Sequence, residues 1–468
     1  MERYLNDRRP QQLAALKEFL RIPSISALPE HAADVELAAS WLAEQLRRIG
    51  VPDVRVLPTA GRPIVYGHWP VASDRPTVAI YAHYDVQPVD PVAAWTTPPF
   101  EPSERDGRLY ARGASDDKGN LMIPLFALEA LAALAGGPPL NIKLIFEGEE
   151  EIGSPSLPAF FAAQRELLRA DLALCADGSM WSADTPSLTV GCRGITALEI
   201  HVQGPRADLH SGMYGGTVQN PIHALVELLA GMRHPDGRVA VAGFYDRVRP
   251  LTEAERRQIR TIPFIEEDYL QAIGAPAPFG EPGFSTLERQ WARPTLEVNG
   301  IGGGFQGEGV KTVLPAEARA KLTCRLVPDQ DPDDVAALIE AHVEQHRPAG
   351  CTVRVHRFPG GARPYLMPLE HPALEAAARV LEGVYGRRPL VTRTGGTLPV
   401  ADLFRSQLGM WFVFFSFGEP DNNLHAPDEF LRLGSFDRGI RAYCRLLQEL
   451  SALSPEQLRP REAGGDGP

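Results

Sequence analysis

Imidazoles and carboxylates bind cations and move protons near neutral pH, and in this chain they gather in five short, well separated stretches. His83 and Asp85 follow the apolar run TVAIYA; Glu149, Glu150 and Glu151 follow IKLIFEG; Asp177 follows LALCA. Asp116 and Asp117 lie in GASDDKG, and His425 lies in the turn-rich EPDNNLHAPDE. Taken singly, each has a bland explanation, because a loop aspartate caps helices and a lone histidine sits on surfaces. Taken together they do not. Three consecutive glutamates at the end of a buried strand repel one another unless cations neutralise them.

Such scattered stretches need elements that bring them to one place. The runs at 77–81, 142–146 and 172–176 are continuously apolar, the mark of strands buried on both faces, and a helical pattern at 121–134 separates the first two. Strands alternating with helices predict an α/β fold built on a largely parallel sheet. Ligands of such sheets collect beyond the carboxyl ends of the strands, where these stretches would lie. From about residue 193 the texture changes. The segments 196–202 (TALEIHV) and 318–326 (ARAKLTCRL) alternate like strands with one solvent face, and helices are expected at 221–232 and 333–346. This is the β-α-β-β-α-β order of a smaller, ferredoxin-like α+β domain. An apolar strand at 410–416 and a helix near 438–450 return the chain to the first domain. The expected division is a catalytic domain from 1–192 and 368–454, an inserted domain from 193–367, and a flexible tail at 455–468.

The strings YAHYDVQP, LYARGASDDKG, EGEEEIGS, LCADG and LHAPDE, in that order, resemble the motif series of carnosinase-type dipeptidases. These belong to the di-zinc aminoacylase, carboxypeptidase and deacetylase superfamily, and the resemblance spans nearly the whole chain. It implies a di-zinc catalytic domain with mixed, largely parallel sheet and a lid domain that also mediates dimerisation. Matched position by position, His83, Asp116 and Asp177 would hold one metal, and Asp116, Glu151 and His425 the other. Each ion then has three nitrogen or oxygen ligands and keeps a position for a shared water or hydroxide. A bridging Asp116 suits the ~3.5–4 Å separation of two-metal hydrolases. Two Zn²⁺ per chain are expected, and the same ligands also accept Mn²⁺ or Co²⁺.

The resemblance matches Glu150 to the general base, with Gly153 and Ser154 setting the register and Glu149 left over. Asp85 matches a carboxylate that orients the ligand imidazole. The string DLHSGMYGG (208–216) resembles a lid loop whose histidine, here His210, comes from the partner subunit and stabilises an oxyanion. Thr312 in KTVLP and Arg325 in CRLVP lie in segments resembling those that bind the substrate carboxylate. Thr397 in TGGTLP occupies a substrate-binding turn that often carries serine there; the hydroxyl is retained.

The remaining features exclude more than they add. In 468 residues, 59 acidic side chains outnumber 47 basic ones for a net charge of −12, and no long basic run suggests nucleic acid or an anionic membrane. A hydrophobic fraction of 44% and a charged fraction of 23% are ordinary for a globular chain. No apolar stretch reads as a membrane span, and the amino-terminal residues alternate charge with leucine at helical spacing, without a signal-peptide core. Five scattered cysteines with no CxxC suit reduced thiols in a cytoplasm. Gly302–Gly307 fits GxGxxG as a string but lacks the strand and helix of a dinucleotide site, and His342 and His346 lack the glutamate of HExxH.

The expected function is a cytoplasmic, homodimeric, metal-dependent exopeptidase acting on dipeptides or short peptides. Asp177, where deacylases and carboxypeptidases of the superfamily carry glutamate, and the HSGMYGG string favour that over an N-acyl-amino-acid deacylase. A non-catalytic binding protein on the same scaffold would be expected to lack ligands or the base, and none is missing.

Overall fold

The computed structural model describes residues 1–460, which form two compact units. The first comprises Met1–Val190, Met367–Thr392 and the chain from Leu403 onward; the second comprises Gly191–Leu366 and Arg393–Asp402. The ten residues 393–402, expected in the catalytic domain, thus cluster with the other unit.

The first unit is built on a six-stranded sheet in the spatial order Asp53–Leu57, Ile64–Trp69, Asn141–Glu147, Thr77–His83, Leu172–Cys175, Trp411–Phe414. The last four run parallel and the first two form an antiparallel edge, so the sheet is mixed and largely parallel. Thr77–His83 and Leu172–Cys175 are buried almost throughout, the environment their unbroken apolar sequences require. Helix Lys118–Ala135 packs against Thr77–His83 and the long helix Leu433–Leu450. It ends at Gly136, whose φ of +79° is the left-handed stop that glycine adopts without strain. By length and composition this helix would pass for a membrane span, a match the sequence pattern did not bring out; 13 of its 18 residues are buried among the unit's own side chains. Pro455–Leu458 forms a short helix whose Leu458 is buried, so the packed chain extends into the segment expected to be a tail. The rest of that expectation, 461–468, lies outside the described residues.

The second unit carries a four-stranded antiparallel sheet, ordered Thr295–Gly303, Glu317–Leu326, Gly194–Gln203, Thr352–Arg357. Helices Pro221–Gly231 and Pro332–Gln345 complete a β-α-β-β-α-β chain order. Side chains of Gly194–Gln203 and Glu317–Leu326 alternate in burial, and the inward set, including Leu198, Ile200, Ala320 and Leu322, meets Leu225 and Ile339 from the helices. Three further helices, Glu253–Arg260, Glu266–Ile273 and Thr286–Ala292, fill the long connection before Thr295. Gly302 and Gly303 end an exposed strand with no helix after them, in line with rejecting the GxGxxG string.

Candidate metal centre

The parallel strands of the first unit deliver their polar residues at one rim. His83 closes its strand in register with Glu147, the last residue of the neighbouring strand, and Glu149–Glu151 follow after Gly148. The strand Leu172–Cys175 ends two residues before Asp177, and Asp116 stands just ahead of helix Lys118–Ala135. His425 comes from the loop after Trp411–Phe414 and has a φ of +59°, a left-handed conformation that a non-glycine residue takes only where its surroundings hold it.

Asp116 is the hub. Its Oδ1 lies 3.0 Å from His83 Nε2 and its Oδ2 lies 2.9 Å from His425 Nε2, so two imidazoles face the two oxygens of one carboxylate. Glu151 Oε2 is 3.2 Å from the same His425 nitrogen. One donor atom each from His83, Asp116 and Asp177 lies within 4.8 Å of the others, and the same holds for Asp116, Glu151 and His425. The structure therefore brings together all five residues that the resemblance assigned to metal, in the two groups expected.

The local electrostatics are those of acids crowded out of water. Burial, followed by the Asp116 charge, pushes the Asp177 carboxyl up to about 7. Burial and the neighbouring acids Asp177, Glu147 and Glu151 raise Glu150 well above the carboxylate range, against an opposing pull from His83. Burial opposes charge on His83 too, yet Asp116 and Asp85 hold its imidazole well above the usual value. Hydrogen bonds to Asp116 and Glu151 raise His425 to about 10. The donor set fits a cation of the zinc or manganese kind, being entirely imidazole and carboxylate. Glu151 Oε1 is buried with no hydrogen-bond partner among the described residues, as a carboxylate oxygen reserved for a cation would be.

Supporting residues fix these groups. His83 Nδ1 donates to the Asp85 main-chain carbonyl at 3.1 Å, which aims Nε2 at Asp116. The Asp85 carboxylate is 3.4 Å from the same ring nitrogen and accepts the backbone N–H groups of Glu150 and Glu151, tying the imidazole to the glutamate turn. Glu149, the residue left over in the triplet, accepts backbone N–H groups from Arg62 and Ser156 and takes no part in the cluster. The Glu150 main-chain carbonyl accepts the Gly153 N–H at 2.8 Å, while its carboxylate accepts no hydrogen bond from a described residue.

Further contacts, most of them at residues the sequence did not single out, complete the centre. Gln87 donates to Glu151 Oε2 at 2.8 Å, and Asp117 accepts the His83 backbone N–H at 3.2 Å. Glu429 accepts the backbone N–H groups of Gly113, Ser115 and Asp116, each at 2.9 Å, and pairs with buried Arg112 at 2.7 Å. Its only sequence signal was its place four residues after His425, which by itself says nothing.

The residues assigned to substrate lie in the second unit, in two groups. His210 pairs with Val313 across a two-residue ladder, and the Thr312 carbonyl accepts the N–H of Ser211. His210 Nδ1 accepts the Gly212 N–H at 3.1 Å, which leaves the proton of the neutral ring on Nε2. Arg325 donates to Thr397 Oγ1 at 2.6 Å. His342 and His346 lie at the end of helix Pro332–Gln345 with tilted rings whose centroids are 4.2 Å apart, and they join no metal-competent group among the described residues.

Comparison with known proteins identifies the family. Residues 79–449 match peptidase family M20/M25/M40, and the chain belongs to that family. The Cys-Gly metallodipeptidase dug1 of Schizosaccharomyces pombe is 32% identical over 466 residues, spanning 96% of this chain and 98% of that protein. Among solved structures, the M20 family metallo-carboxypeptidase Sso-CP2 of Sulfolobus solfataricus is similar with a TM-score of 0.83 at 34% identity, covering 94% of this chain and 99% of its own. Human carnosine dipeptidase 1 is similar with a TM-score of 0.78 at 28% identity, covering 96% and 98%. The fold is thus that of an α/β peptidase, and the chain is an enzyme that hydrolyses peptides.

Glu429 offers a test of how the Asp116 loop is held. Glu429→Gln leaves Arg112 buried without its counter-charge and turns an amide N–H₂ toward N–H donors. The expected cost is about 3–5 kcal/mol in stability, with a roughly 10–100-fold loss of metal affinity. Denaturant unfolding and metal titration would measure both; wild-type values in each would show that the loop does not depend on Glu429.

Proposed function

We propose that this chain is a metal-dependent exopeptidase hydrolysing dipeptides or similarly short peptides, with two divalent cations per chain. Zinc is the expected ion, and manganese or cobalt would fit the same donors. The observation that carries the reading is the shared Asp116: His83 and Asp177 stand with it on one side, Glu151 and His425 on the other. Those two groups would each hold one ion. When bound, such a pair acidifies a water and polarises a scissile carbonyl.

The chain's own groups would do the rest. Glu150, whose carboxylate accepts no hydrogen bond from a described residue and follows the strand that ends at Glu147, is suited to take a proton from the attacking water and pass it to the leaving amine. Asp85 would hold the His83 ring and the Glu150–Glu151 backbone in fixed relation through the bonds already described. His210, with its proton on Nε2, would donate to the carbonyl oxygen as charge develops there. Thr312, Arg325 and Thr397 would bind the substrate carboxylate, Arg325 through its planar fork.

A homodimer through the second unit, with His210 supplied by the partner subunit, is part of the reading. Exposed Val298 and Ile301 on the sheet's edge strand and Val226 on the neighbouring helix support it, being apolar surface of the kind subunits bury. Five free cysteines, four of them buried, support a reducing, cytoplasmic setting.

The dipeptidase names of relatives favour dipeptides, whereas the resemblance to the metallo-carboxypeptidase Sso-CP2 favours a carboxypeptidase. Metal-loaded enzyme should be assayed against dipeptides, tripeptides, longer peptides and N-acetyl amino acids. Dipeptides should be cleaved fastest, a chelator should abolish activity, and added Zn²⁺ or Mn²⁺ should restore it. Faster turnover of longer peptides or of N-acetyl amino acids would overturn the dipeptide assignment. Full activity after removal of metal would overturn the metal dependence.

The glutamate triplet gives a sharper check. Glu150→Gln should keep the metals and lower kcat by at least about 10²–10⁴-fold. Glu151→Gln should instead lower metal occupancy. Exchanged phenotypes would mean that base and ligand are the other way round.

A further inference from the structure

Arg193 stands at the start of the second unit's sheet, one residue before strand Gly194–Gln203. Its backbone N–H donates to the Gly396 carbonyl at 3.0 Å, its Nε to the Gly395 carbonyl at 2.9 Å, and its Nη1 to the Arg293 carbonyl at 3.4 Å. The grip is close on both sides: a Cβ on Gly395 would lie 2.9 Å from Gln290 Cγ and 3.1 Å from Arg193 Nη2. The same turn is tied again at Thr397, whose hydroxyl accepts from Arg325, and within itself, where the Gly396 N–H donates to Thr394 Oγ1 at 3.1 Å.

Arg325 lies opposite Ile195 in the antiparallel register, and Arg193, two residues before Ile195, stands diagonally from it. Neither guanidinium makes an ion pair among the described residues. Glu297, the acid whose charge Arg193 feels, pairs instead with Arg233 at 3.8 Å. Burial, and then the charge of Arg325, push Arg193 down to about 10. The charge of Arg325 therefore opposes that of Arg193, and the hydrogen bonds to the Gly395 and Arg293 carbonyls hold the Arg193 guanidinium in place against it.

We propose that Arg193 is a positioning residue for substrate: by gripping the Gly395 and Gly396 carbonyls it sets the turn so that Thr397 and Arg325 form one anion-binding edge. Engaging those carbonyls also neutralises two acceptors that would repel a carboxylate. Thr397 Oγ1 accepts from Arg325, which leaves its own proton to donate to the substrate. The inference rests on the reading that Thr397 and Arg325 meet the carboxylate of a peptide, and it adds Arg193 as the group through which the turn keeps its shape.

The test compares Arg193→Met, Arg193→Lys, Thr397→Val and the double variant Arg193→Met/Thr397→Val in metal-loaded enzyme with a dipeptide substrate, alongside thermal midpoints and metal content. Arg193→Met should raise KM by about 10–100-fold, the scale of a lost charged hydrogen bond, with kcat, thermal midpoint and metal content close to wild type. Arg193→Lys should recover only part of this, because an ammonium cannot hold the Gly395 and Arg293 carbonyls together as a planar fork does. After Thr397→Val, adding Arg193→Met should cost little more, since both act through one turn. A wild-type KM in Arg193→Met, penalties that multiply independently, or a loss matched by a fall in the thermal midpoint would each overturn the proposal. Amide exchange at 395–397 in metal-free protein provides a readout without catalysis. It should quicken in Arg193→Met whether or not dipeptides prove to be the substrate, and unchanged exchange would defeat the clamp. A wild-type enzyme inert to dipeptides, with quickened exchange in the variant, would instead defeat the substrate reading alone.

Discussion

Carboxylates packed together at the ends of buried strands repel one another and lack the water that would solvate them, and that constraint governs the first unit. Asp116, Asp177, Glu150 and Glu151 share one rim with His83 and His425, and the cluster strains against its own charge: burial and neighbouring acids push Asp177 up to about 7 while the imidazoles are drawn upward. Such an arrangement persists only where something else stabilises it, and bound cations are the chemical partner that imidazole and carboxylate together select. Around the cluster the fold spends its backbone donors on holding acids in place. Glu429 collects three N–H groups and Asp85 two.

The second unit solves a different problem with the same economy of means. Its sheet is an ordinary alternating one, with helices on the inward face and long polar side chains available elsewhere. Chemistry is carried by what is attached to that sheet: a two-residue ladder that presents His210, and a distant segment, 393–402, fastened to it by Arg193 and Arg325. Recognition of a peptide's carboxylate would then depend on a turn whose shape is set by an arginine that need not touch the peptide.

Much of this was legible in the sequence because the governing signals are local. A strand buried on both faces must be continuously apolar, so TVAIY and LALCA announced themselves, and polar residues directly after them had to fall at the strand ends. The alternation of 196–202 and 318–326 likewise revealed a sheet with one covered face. What escaped depends on contacts between residues far apart in the chain. Glu429 reads as one more acidic loop residue until its 2.7 Å partner, Arg112, is known. Arg193 had no pattern to mark it, because its partners lie about two hundred positions away at Gly395 and Gly396. The transfer of 393–402 to the second unit and the packing of Leu458 have the same origin. Asp85 was anticipated for one task, and the structure gives it a second, since only the folded chain brings the Glu150–Glu151 backbone to its carboxylate.

The central claim is that Asp116 is shared by two cations, and anomalous X-ray scattering from metal-loaded crystals tests it most directly. Data collected on either side of the zinc absorption edge should reveal two ions roughly 3.5–4 Å apart. The Asp116 carboxylate should lie between them, with His83 and Asp177 on one and Glu151 and His425 on the other. A single ion, or two ions with Asp116 bound to only one, would contradict the account.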